Sequence, residues 1–103
     1  MKPLRIHEEA ESEIRATIAR YERACPGLGS EFWGEVQHTL ALILERPAIR
    51  AIVRRVSVRG TARRMPLRRF PYFIVYRDRD QDIEMIALAH TSRLPGYWRT
   101  RGV

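Results

Sequence analysis

The sequence predicts an α+β domain: an N-terminal strand, a helical hairpin packed on a small antiparallel β-sheet, and a short C-terminal helical turn. Three observations predict it. Apolar residues recur at steps of three and four through two stretches of the first half. The period then changes, and the runs YFIVY (72–76) and IEMIALAH (83–90) are β-branched, aromatic and apolar. Finally, 103 residues at 45% apolar composition suffice for one core, so a single domain over residues 1–103 is expected.

Taken in order, PLRIH (3–7) alternates as a short strand. Glu8, Glu9, Glu11 and Glu13 then crowd the start of a helix, where negative charge meets the positive end of the helix dipole. Ala10, Ile14, Ile18 (or Thr17), Tyr21 and Cys25 form its apolar face. Cys25, the only cysteine, reads as a small packing residue and fits a reducing compartment. CPGLG breaks the helix. Ser30 is the N-cap candidate for a second helix, EFWGEVQHTLALILER, with Phe32, Val36, Leu40, Ile43 and Leu44 as its stripe and Pro47 as its stop. RRMPLRR (63–69) reads as an edge or bulged strand, because Pro66 lacks an N–H. YFIVY and IEMIALAH flank the polar turn RDRDQD (77–82) as a β-hairpin. Leu94-Pro95-Gly96 ends the sheet, and YWRTR forms the last turn. Residues 48–61 read as loop, strand or part of each.

Several function classes drop out. GLGSEFWG has Phe32 where a dinucleotide fingerprint needs its third glycine, so it reads as a helix–helix turn. His7, His38 and His90 stand far apart, with no Cys or carboxylate at ligand spacing, so neither metal nor cofactor is expected, and His38 reads as a surface residue. The longest aliphatic run, LALIL (40–44), cannot span a bilayer, and MKPLRIHEEAESE contains no apolar h-region. A cytoplasmic protein without membrane partners is expected.

Charge is more informative. Residues 1–45 hold five Lys/Arg against eight Asp/Glu, a net of −3; residues 46–103 hold fourteen against four, a net of +10. Ten arginines and no acid lie between Arg46 and Arg77. Such like charges repel one another and call for an anionic partner, nucleic acid or an acidic protein segment. Arg54, Arg55, Arg63, Arg64, Arg68, Arg69, Arg99 and Arg101 are the candidate contacts, on a surface that the other sheet face and the C-terminal end are expected to share. At the end of the last strand, His90, Arg93 and Tyr97 are candidate catalytic residues: an imidazole to move a proton, a guanidinium to hold an oxyanion, a phenol to bond or stack. They would suit RNA cleavage through the 2′-OH. Equally, His90 caps the strand while Tyr97 and Trp98 pack the C-terminus down.

The Arg-Phe-Pro-Tyr-x-x-x-Tyr segment within RRFPYFIVY and the His-x-x-Arg-x-Pro-x-x-Trp ending of AHTSRLPGYWRTR, with the acidic helix start, GLGSEFW and Pro47, resemble the RelE/ParE-type toxins of type II toxin–antitoxin systems over about residues 4–101. The resemblance implies a growth-inhibiting toxin wrapped by a cognate antitoxin with an acidic, partly disordered tail, in a hetero-oligomer of the kind that serves plasmid stabilisation. Within that family, ParE-like members inhibit DNA gyrase, whereas RelE-like members cut mRNA on the ribosome through a Lys/Arg cluster with a Tyr or His. Here no Lys follows residue 2, and a guanidinium stays protonated, which leaves His90 as the proton acceptor. The ParE-like ending favours gyrase. A ribosome-dependent mRNA endoribonuclease is the alternative, and a non-toxic RNA-binding module is the alternative of another class.

Overall fold

In the computed structural model, residues 1–48, 52–53, 62–92, 97–98 and 101 are described. Strand β1 (Leu4–Ile6) leads into α1 (Glu8–Ala24) and α2 (Leu28–Glu45), followed by β2 (Ile52–Val53), β3 (Ala62–Pro66), β4 (Tyr72–Asp78) and β5 (Ile83–His90). The strands form one sheet in the order β1-β5-β4-β3-β2. β2 to β5 pair antiparallel, but β1 runs parallel to β5, so the sheet is mixed. The chain leaves β1 through the helical hairpin and returns by a meander, which brings its last strand back beside its first. Among the described residues no helix is long and apolar enough to cross a membrane.

The helix boundaries follow from local chemistry. His7 caps α1, its Nδ1 accepting the Glu9 N–H at 3.1 Å. Ala10, Ile14 and Thr17 are buried, and Ile18 and Tyr21 half-buried. Cys25 does not pack as expected. It lies past the helix in extended backbone (φ −157°, ψ 118°) and is exposed. The cap of α2 is also different from the one expected at Ser30, which sits inside the helix. Gly27, at φ +91°, makes the turn, and the Glu22 carboxylate reaches back from α1 to accept the Gly27 and Gly29 N–H groups at 2.9 and 3.0 Å. An intramolecular carboxylate therefore fills the place an anion would take at this helix start. A Cβ at Gly29 would fall 2.7 Å from the Ile18 carbonyl oxygen, so the close crossing of the helices needs glycine there. Gly34 is different: it is exposed on α2, with nothing within 4 Å of an added Cβ. Gly34→Ala is expected to raise stability by about 0.5–1 kcal/mol, read as a shift in urea midpoint at unchanged slope.

Both helices pack on one sheet face. Ala10, Ile14, Phe32, Val36, Leu40 and Ile43 meet Ile74, Tyr76, Ile83, Met85 and Leu88 in the main core. Pro66 ends β3 without losing a sheet bond. The Leu67 N–H donates to the Tyr72 carbonyl, so the odd-numbered residues of β3 face β4 and Pro66 faces away. A bulge sets Val75 opposite Ala87 and Tyr76 opposite Met85, leaving Ile86 without a partner residue. Ile86 and Ala87 thus join a second buried cluster with Ala62, Val75 and Trp98. The other face of the sheet is therefore partly an apolar core rather than wholly a bed of arginines.

Candidate functional site

His90 stands at the end of β5, directly opposite Tyr72, the first residue of β4. The two rings meet edge to face, centroids 5.0 Å apart. Tyr72 in turn packs on Tyr21, Phe32 and, through them, Phe70. Arg20 reaches over from α1 and donates to the Tyr72 hydroxyl. Its guanidinium also lies 5.6 Å from the centre of the Tyr21 ring and 5.9 Å from that of Tyr72. The hydrogen bond to Tyr72 raises the Arg20 pKa, so its charge is permanent. His90 Nδ1 lies 3.0 Å from the Ser92 backbone N and 2.7 Å from Ser92 Oγ. A backbone N–H only donates, so Nδ1 is the acceptor and the neutral ring carries its proton on Nε2. His90 therefore presents a donor, and its lone pair is turned to its own chain.

Tyr97 and Arg101 are employed elsewhere. The Tyr97 hydroxyl donates to Glu13 Oε2 at 3.0 Å and lies 3.3 Å from the Leu88 carbonyl. Arg101 stacks 5.0 Å over the Tyr97 ring, meets Glu9 at 2.7 Å and holds both oxygens of Glu13 at 2.8 and 3.1 Å. Arg93, the third candidate catalytic residue, lies outside the described residues, as do Arg54, Arg55 and Arg99. The remaining arginines do not share one platform. Arg63 and Arg64 are neighbours on β3 and so point to opposite sheet faces, with Arg64 exposed and 5.2 Å over Phe73. Arg69 turns to α2, where its Nε meets Glu35 at 3.1 Å and Glu31 lies 3.7 Å from its Nη1. Arg68 is exposed beside it, on the rim of a cleft also lined by Gly34 and His38. His38 is exposed as expected. Among the described residues no three His, Cys, Asp or Glu side chains converge as metal ligands.

Residues 4–95 match the family model described as the ParE toxin of the type II toxin–antitoxin system parDE. The chain belongs to the ParE toxin family. No curated protein sequence matches it significantly. Among solved structures, one described as the chromosomal ParDE TA system from P. aeruginosa is similar in fold, with a TM-score of 0.64 over 89% of this chain and 98% of the other, at 19% identity.

In this ParE-family chain, the residues that position the site were largely invisible in the sequence. Arg20 gave no signal because it lies on a helix assigned to the acidic half. Glu13 looked like one of four dipole-neutralising acids. Glu35 carried no signal in the sequence, yet it accepts from the Arg69 backbone and side chain in the β3–β4 connection. Burial pushes the Glu35 carboxyl up, but the Arg69 backbone N–H, the Arg69 side chain and the Arg68 backbone N–H outweigh it and hold it below the usual carboxylate range. Its stabilising effect is therefore complete above the unfolded pKa and lost as pH falls through the depressed one. As pH falls below the ordinary glutamate range, urea denaturation should show wild-type stability falling more steeply than that of Glu35→Gln.

Proposed function

We propose that this ParE-family chain is a growth-inhibiting toxin that acts by binding DNA gyrase, without chemistry of its own, and is neutralised by an antitoxin bearing an acidic segment. The observation that carries the reading is the engagement of the candidate catalytic groups. His90 Nδ1 accepts the Ser92 N–H, so the neutral ring offers a donor rather than the lone pair a general base needs. The Tyr97 hydroxyl is spent on Glu13 and Leu88. A phosphodiester cleavage centre built on these two would have to break the His90–Ser92 and Tyr97–Glu13 contacts. The net charge of +7 supports an acidic antitoxin, with Arg64 and Arg68 exposed to meet it. Induction of the chain in cells without its partner tests the reading. Growth should stop, plasmid supercoiling should fall, and mRNA should stay intact. Fragmented mRNA with normal supercoiling would establish the ribonuclease instead, and unimpaired growth would remove the toxin reading altogether.

A further inference from the structure

We propose that Arg20, Tyr72 and His90 form a receiving corner for a carboxylate side chain of an acidic protein segment, an inference that rests on the antitoxin reading above and assigns it a place. Arg20 and His90 both touch the Tyr72 side chain, the first at its hydroxyl and the second at its ring. Arg20 donates to the Tyr72 hydroxyl with one of its five N–H groups. Having accepted that bond, the Tyr72 hydroxyl still has its own proton to give. His90 contributes Nε2–H, because Ser92 occupies Nδ1. Among the described residues Arg20 forms no ion pair, in contrast to Arg15, Arg69, Arg79 and Arg101, which all do.

A ligand for three donors must be an acceptor only, which an ionised carboxylate is. The corner is also ordered in advance. Arg20 is held by one hydrogen bond and two aromatic contacts, so little side-chain freedom remains to be lost on binding. Behind it lies the apolar aromatic group of Tyr21, Phe32, Phe70 and Tyr72, which limits screening on that side. The same packing argues against single-stranded nucleic acid. Tyr21, Phe32, Phe70 and Tyr72 spend their faces and edges on one another, so a base finds little ring to stack on.

The test uses the full chain and a fluorescein-labelled hexaglutamate peptide, read by anisotropy at low salt. Arg20→Gln, Tyr72→Phe and His90→Phe should each weaken binding by about ten- to a hundredfold, the usual size of one charge-assisted hydrogen bond. Gln81→Ala, on the exposed β4–β5 turn, should bind like the wild type, and thermal melts of every variant show whether the fold is kept. In the histidine side-chain ¹⁵N spectrum, His90 should show the Nε2–H form and shift on peptide addition. Equal affinity of the wild type and all three variants would overturn the proposal, placing peptide binding elsewhere on the basic surface. So would failure of the wild type to bind, or oligothymidylate binding more tightly than the peptide with the same loss in the variants. Because growth arrest is not part of this measurement, failure of the corner and failure of the toxin reading are separately visible.

Discussion

Phe32→Ala is expected to lower the unfolding free energy by about 3–5 kcal/mol, the range for removing a large buried aromatic with the cavity left behind. Phe32 is fully buried on α2, with ring centres at 5.2 Å from Tyr21, 5.1 Å from Phe70 and 5.6 Å from Tyr72. It therefore joins α1, α2, the β3–β4 connection and β4 at one point. The site cannot collapse easily, because each neighbour is fixed by its own element, and a rigid lining makes the cavity term large. A domain of this size commands only about 5–15 kcal/mol, so the loss is a fifth or more of the total. At about 4–8 °C per kcal/mol, the melting temperature should drop by more than 12 °C. Phe32→Leu, which keeps most of the volume, should lose a smaller part. Equal melting of wild type and Phe32→Ala would mean that these four rings are not the junction described. The substitution also tests position: without Phe32, Tyr72 loses one wall, and the ¹⁵N shifts of His90 opposite it should change.

The elements that could be read from the sequence are those whose cause is local. Period 3.6 over α1 and α2, Pro47 after α2 and the β-branched and aromatic runs of β4 and β5 all depend on neighbours a few residues away, and β5 begins at Ile83 and ends at His90 as its run suggests. What could not be read depends on residues far apart. Arg20 meets Tyr72 across 52 positions and Arg101 meets Glu13 across 88. Charge counting assigned Arg69 and Arg101 to a binding surface because it sums charge without placing it. The fold turns both toward helical carboxylates. Ser30 failed as a cap for a related reason: Glu22, five residues before Gly27, had already taken the free N–H groups. The site was legible in one respect. His90 could be placed at a strand end from the sequence, but its pairing with Tyr72 and the Ser92 contact that decides its tautomer could not.

Glu13→Ala is the substitution expected to show how the open side of β5 is kept closed. β1 pairs with β5 only as far as Met85. Beyond it, side chains do the work of a strand: Arg101 donates to the Ile86 carbonyl at 3.1 Å, the Leu88 N–H donates to Glu13 at 3.1 Å, and the Tyr97 hydroxyl lies 3.3 Å from the Leu88 carbonyl. Glu13 is common to the arrangement, since it also receives Tyr97 and both Arg101 nitrogens. Its removal leaves a backbone N–H without its acceptor and a largely buried guanidinium with Glu9 alone. Breaking a buried ion pair typically costs about 3–5 kcal/mol, but Glu13 and Arg101 keep 18% and 11% of their side chains exposed and Glu9 remains, so about 2–3 kcal/mol is expected. Glu13→Gln, which keeps an acceptor for Leu88 but not the charge, should fall between. The decisive readout is local: the Leu88 amide should exchange with solvent much faster in Glu13→Ala, beyond what the global loss explains, while amides of β4 follow the global loss. An uncovered strand edge also pairs with other chains, so the variant should aggregate at concentrations where Phe32→Leu of matched stability does not. If Leu88 exchanged no faster than the β4 amides, Glu13 would be an ordinary ion-pair partner and the edge would be protected by something else.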